Sequence, residues 1–233
     1  MVRLMGAIGL LVLLIICGVL AYLHWFKIRP LVEPRSVEVT HVREPPLIQA
    51  AQRGDVAEIR RLISSGVNVN AADSSGFTAL MAAAVDATDA VPDLLAAGAK
   101  VDTKDYVEGA TALTIACQRK NLQVIKALVN HGANVNAISK YGQTPLMMAV
   151  RTCSEPVVRY LLQNGAKVAE KSASGGTALF SAVVQGCVDV AKMLLQAGAD
   201  VNVRTTDGHT LVELARSNHD ARMVRLLKQA GAR

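Results

Sequence analysis

GQTPLMMAVRTCSEPVVRYLLQNGA, residues 142–166, decides how this chain folds. Gly142 permits the positive-φ backbone of a tight turn. Two residues on, the Thr144 hydroxyl is placed to cap a helix by satisfying backbone N–H groups that lack partners in the first turn. Pro145 follows directly, where a helix tolerates proline because no N–H bond is lost. Leu146 and Ala149 are three apart and share one helix face, and the small Ala lets a neighbouring helix approach closely. A second helix reads from Val157-Val158-Arg159-Tyr160-Leu161-Leu162 and stops at Gly165, a left-handed helix terminator.

The same pattern recurs with a fixed period. Thr78, Thr111, Thr144, Thr177 and Thr210 are each 33 residues apart. Gly76, Gly109, Gly142, Gly175 and Gly208 keep that step two residues earlier. Ala50, Ala83, Ala116, Ala149, Ala182 and Ala215 carry it through six copies, with Leu47, Leu80, Leu113, Leu146 and Leu179 in phase and Val212 closing the series. Second helices end at Gly66, Gly98, Gly132, Gly165, Gly198 and Gly231. Four registers sharing one period define a repeat array. Its copies fall at about 44–72, 73–104, 105–138, 139–170, 171–204 and 205–233.

Thr144-Pro145-Leu146 with Ala149, Leu161-Leu162-Gln163-Asn164-Gly165-Ala166, Gly132-Ala133-Asn134-Val135-Asn136-Ala137 and Gly198-Ala199-Asp200-Val201-Asn202 resemble the ankyrin repeat. The resemblance covers residues 44–233. It implies an all-α solenoid of about six helix-turn-helix repeats, joined by projecting β-hairpin loops, and a non-catalytic protein-binding role. The family's usual His three residues after the Thr is replaced by Met81, Thr114, Met147, Phe180 and Glu213, most of which read as core packing. The second copy is one residue short before Gly98 and one long after it, with Pro92 in its second helix, and is expected to be the least regular. Lys228 and Arg216 put charge on the last copy where earlier copies are apolar, as a terminal cap requires.

Composition narrows the classes. The 233 residues are 51% hydrophobic and carry a net charge of +6, which excludes general disorder. Four cysteines without a C-x-x-C pair make neither a disulfide-dense scaffold nor a zinc site. Residues 44–233 hold 20 basic and 17 acidic groups, so the charge is spread and nucleic acid is not an expected partner.

Ahead of the repeats, Leu4 to Phe26 runs 23 residues without Asp, Glu, Lys or Arg. As a helix at ~1.5 Å per residue it reaches about 35 Å, enough to cross a ~30 Å hydrocarbon core. Residues 1–3 form a short basic lead, and Tyr22, Trp25 and Phe26 gather at the far end, where amphipathic rings favour headgroups. An uncleaved transmembrane signal-anchor over 4–26 is the expectation. A cleaved signal would use Val19-Leu20-Ala21, but the apolar run continues past it. Residues 27–43, with Pro30 and Pro34, read as a spacer. Flanking charges argue for a cytoplasmic domain and the signal-like layout for an extracytoplasmic one. The second placement is preferred, in a single-pass protein of an inner or plasma membrane.

Chemistry-bearing motifs are absent: no G-x-x-x-x-G-K-[ST], no G-x-S-x-G, no H-E-x-x-H. The five histidines lack metal-ligand spacing. Cys117 with His131 would be a nucleophile and base only if Cys117 left its small-residue helix column. No catalytic residue, metal, cofactor or small-molecule substrate is expected. Cys153 and Cys187 fall at the inter-helix turns of adjacent copies, and stacked helices stand about 10 Å apart. A disulfide needs Cα atoms within ~7 Å, so the pair is bonded only if the turn closes that gap. For protein binding the candidates are Phe77, Tyr106 and Tyr141, rings in loops where a fold has no need of them, and Arg119 and Arg151 late in adjacent first helices. Aromatic and Arg side chains dominate interface energetics. The function expected is a membrane-anchored module that binds another protein; the alternatives are a cleaved, secreted effector or an accessory subunit of an enzyme.

Overall fold

The computed structural model describes residues 44–204 and 208–232. The expected span 4–26 and the spacer 27–43 lie outside the described residues. Among the described residues no helix is long and apolar enough to cross a membrane.

Among the described residues twelve α-helices form six consecutive pairs. These are α1 (Pro46–Gln52) with α2 (Val56–Ser64), α3 (Ala79–Ala83) with α4 (Val91–Ala96), and α5 (Ala112–Gln118) with α6 (Leu122–Asn130). They continue with α7 (Pro145–Arg151) and α8 (Glu155–Gln163), α9 (Ala178–Gln185) and α10 (Val188–Gln196), then α11 (Leu211–Ser217) and α12 (Ala221–Gln229). First helices pack on first helices along the whole stack, and second helices on second helices from α4 to α12. The columns of the sequence become the core. All six Ala of the Ala50–Ala215 series are fully buried, and Leu47, Leu80, Leu113, Leu146 and Leu179 are no more than 1% exposed. Truncating one of these Leu to Ala removes contacts worth about 2–5 kcal/mol.

Helix starts follow from hydroxyl chemistry. Thr78, Thr111, Thr144, Thr177 and Thr210 each accept a hydrogen bond from the backbone N–H three residues on. Two residues in the column of the missing His do more than pack. The Thr114 hydroxyl donates to the Thr111 carbonyl and accepts from the Thr111 N–H, and Glu213 accepts from the Thr210 N–H at 2.8 Å. Met81 and Met147 are buried among apolar neighbours, as packing alone requires.

Pro92 does not interrupt its helix. It occupies the opening turn of α4, which a 3-10 turn at Thr88–Ala90 precedes, and α3 is cut to five residues. The irregular second copy thus starts its second helix late, at a position where proline costs no hydrogen bond.

The connecting loops differ from expectation. The described residues contain no strand, only isolated antiparallel bridges at Ala72–Thr78 and Arg204–Thr210. The loops are built instead by side chains that gather N–H groups. Asp73 accepts from Ser75 and Phe77, Asp105 from Val107, Glu108, Gly109 and Ala110, and Ser139 from Tyr141 and Gln143. A carboxylate or hydroxyl that satisfies several donors at once leaves no need for a strand ladder.

Candidate protein-binding surface

Consecutive loop tips are chained by single backbone bonds. The Tyr106 N–H donates to the Ser75 carbonyl at 2.6 Å, Lys140 N–H to Glu108 at 2.8 Å, and Ala173 N–H to Tyr141 at 2.8 Å. Two lysines reinforce the third and fourth loops: Lys104 Nζ donates to the Ile138 carbonyl at 2.7 Å, and Lys140 Nζ to the Tyr106 carbonyl. Tyr106 and Tyr141 are therefore brought to adjacent, cross-bonded loops.

Both rings are open, Tyr106 at 66% exposure and Tyr141 at 55%. Tyr106 is not free of the fold, however. Its ring lies over Gly76, where a Cβ would stand 2.9 Å from it, so the ring shields the preceding loop while its outer face remains in water. Phe77 is placed otherwise: it is half-buried against the core and is no part of the open patch. Tyr160 and Phe180 likewise pack on the core.

Arg119 caps the C-terminus of α5 and Arg151 is the last residue of α7; both are exposed, and neither guanidinium has a hydrogen-bond or ion-pair partner among the described residues. A first helix of seven residues is about 10 Å long. That length separates the tyrosine tips at its start from the arginines at its end.

Three exposed apolar residues escaped the sequence reading. Val107 is 60% exposed, and Ile138 and Val184 are each 44% exposed. Val107 and Ile138 extend the tyrosine patch on the same two loops. Val184 stands 33 residues after Arg151, in the same column. Extending the columns from Arg151 would have found Val184, whereas loop aliphatics carry no periodic signal.

Cys153 and Cys187 are joined in a disulfide with Cα atoms 5.6 Å apart. The closure has a backbone cause. Cys153 takes φ +52° in the turn column that also holds Gly54, Lys120, Gly186 and His219, all at positive φ. Cys187 sits one residue further along its own copy, at the N-cap of α10, where Asp55, Asn121 and Asp220 make cap bonds and Cys187 makes none. That one-residue offset shortens the step between stacked copies. Cys117 is buried inside α5, and burial pushes its thiol pKa far up, so it does not ionise to a nucleophile. His131 lies exposed at the end of α6 with Nδ1 2.8 Å from the Ala127 carbonyl, and the pair forms no dyad. Among the described residues no group of His, Cys, Asp or Glu could hold a metal ion.

Comparison with known proteins fits this architecture. The family described as ankyrin repeats in three copies matches residues 11–105 and 87–172, and the single ankyrin repeat matches 174–206. The chain belongs to the ankyrin-repeat family. An ankyrin repeat domain from Acinetobacter baumannii AYE superposes with a TM-score of 0.74 at 31% identity, covering 81% of this chain and 98% of that one. The ankyrin repeat domain of Bcl-3, a member of the IkappaB family, gives a TM-score of 0.71 at 28% identity, covering 81% of this chain and 86% of that one. Among curated relatives, mitochondrial disaggregase of Bos taurus is 33% identical over 140 residues, 45% of this chain and 21% of its own length. Ankyrin repeat and SOCS box protein 11 of Danio rerio is 37% identical over 107 residues, 46% of this chain and 36% of its own. The chain thus spans about a fifth to a third of the length of these two relatives.

Proposed function

We propose that the chain is a membrane-anchored, non-catalytic module whose ankyrin repeats bind a partner protein through the loop tips of the third and fourth copies and the adjacent ends of α5, α7 and α9. One observation carries the reading: Tyr106, Val107, Ile138 and Tyr141 are exposed together on two loops that are hydrogen-bonded to each other. A tyrosine offers a large contact area with only two side-chain torsions to order, so it loses little conformational entropy on binding. Arg119 and Arg151 add exposed guanidinium groups at the C-terminal ends of α5 and α7. The charge-free run from Leu4 to Phe26 supports the anchor. The Cys153–Cys187 bond supports an extracytoplasmic domain, since disulfides persist outside reducing compartments.

The test is a triple change, Tyr106→Ala, Tyr141→Ala and Arg151→Ala, in full-length protein used to capture cross-linked partners from detergent-solubilised membranes. Capture should fall at least tenfold, in line with losses of about 2 kcal/mol at interface hot spots, while the thermal midpoint moves by only a few degrees. Undiminished capture would place the interface elsewhere.

A further inference from the structure

The second helices carry a column at the same 33-residue step that the binding surface does not use: Arg60, Asp93, Lys126, Arg159, Lys192 and Arg225. At its head Arg60 Nε meets Asp93 Oδ2 at 2.7 Å, so side chains one copy apart touch in this register. Opposite charges are the arrangement a fold would choose there. The next four positions are all cations, all exposed, and none is ion-paired to a carboxylate among the described residues. Helices packed side by side stand about 8–10 Å apart, so Lys126, Arg159, Lys192 and Arg225 form a row of like charges at that spacing. Such a row opposes folding by self-repulsion and favours an anionic ligand.

The charge balance sharpens this. Helices α6, α8, α10 and α12 hold six Lys and Arg against Glu155 and Asp189, a net of +4, whereas residues 44–233 as a whole net only +3. The rest of the domain is faintly acidic, and its excess positive charge sits on these four helices. Between the first two rungs lies an open hollow lined by Leu122, Lys126, Glu155, Pro156, Arg159 and Tyr160, with the Lys126 ammonium 5.9 Å from the Tyr160 ring centroid. Two cations thus flank a partly apolar depression.

We infer that the Lys126–Arg159–Lys192–Arg225 ladder docks the domain on an anionic phospholipid surface. Mobile headgroups gather under cations at whatever spacing the protein presents, and each Lys or Arg near such a surface adds about fivefold to the binding constant. A nucleic acid is the poorer fit: single strands are held by stacking on aromatic side chains, and Tyr160, the one ring on these helices, is half-buried against the core. The inference draws in part on the anchor reading, because a 17-residue spacer of ~3.3 Å per residue keeps the domain within about 55 Å of the bilayer.

The test mixes full-length protein with vesicles of phosphatidylcholine alone, or of equal parts phosphatidylcholine and phosphatidylglycerol, and follows flotation and amine acylation by mass spectrometry. If the chain floats with both, Lys126 and Lys192 should be acylated at least threefold more slowly on the anionic vesicles, with Lys104 and Lys140 unchanged. High salt, or Arg159→Gln with Arg225→Gln, should abolish the difference. If the chain floats only with anionic vesicles and salt releases it, the ladder stands and the anchor reading falls. Equal acylation on both vesicles, slowing at Lys104 and Lys140 instead, or flotation with neither overturns the proposal. Protection of Lys126 and Lys192 by duplex DNA but not by anionic lipid would overturn it in favour of nucleic acid.

Discussion

At the scale of single residues, Gly76 and Gly66 separate two effects that usually travel together. Both have φ +78°, but a Cβ on Gly66 meets nothing within 4 Å, while one on Gly76 meets the Tyr106 ring at 2.9 Å. Gly66→Ala should therefore cost only the left-handed backbone penalty, about 1 kcal/mol, and Gly76→Ala about 2–3 kcal/mol, measured by denaturant unfolding. Adding Tyr106→Ala should recover the excess, as coupling between touching residues demands. Glu213 gives a pH signature. Hydrogen bonds from the Thr210 N–H and hydroxyl hold its carboxyl below the usual carboxylate range. A depressed folded-state pKa contributes stability above the unfolded value, and that stability is lost as pH falls through the folded one. The thermal midpoint difference between wild type and Glu213→Gln should accordingly be largest near neutrality and fade as pH falls through the lowered carboxyl pKa.

At the scale of the helix pair, the sequence was a good guide wherever one column meant one backbone conformation. The Thr, Ala, Leu and Gly columns translate directly into caps, packed faces and left-handed turns because each residue type answers a local steric or hydrogen-bonding demand. Loops were less legible: Asp73, Asp105 and Ser139 collect donors that strands would otherwise pair, and the extra residue in the third copy moves its Asp105 out of phase. The half-burial of Phe77 has a related cause, since loop position says nothing about which way a ring turns. The cysteine pair belongs to this scale as well. Closing 34 residues of chain contributes about 4 kcal/mol in the entropic account, so reduction should lower the thermal midpoint by about 8–16 °C. Cys153→Gly with Cys187→Asp restores the residues that other copies use in these two columns. That variant should be more stable than the reduced wild type by about 1–2 kcal/mol, while remaining less stable than the oxidised form.

At the scale of the whole molecule, carbonate-washed membranes should retain the full-length chain, whereas residues 44–233 alone should stay in the supernatant; recovery of full-length protein in the wash would remove the anchor. Within the ankyrin domain every packed pair of helices joins neighbouring copies or the two helices of one copy, so local changes spread no further than the adjacent copy. The loop-to-loop bonds give that stack an uneven stiffness. On the helix side, successive copies are clamped by layers of buried Leu and Ala, and parting them exposes apolar surface to water. On the loop side the copies are joined by hydrogen bonds alone, from the backbone to Ser75, Glu108 and Tyr141 and from the Lys104 and Lys140 ammoniums, and water can replace such bonds at little net cost. The soft deformation is therefore a fanning of the tips about the helices, like pages spreading from a bound spine. A load drawn across the loops opens that fan long before it shears the spine, which makes the domain a compliant spring along one edge and a stiff rod along the other.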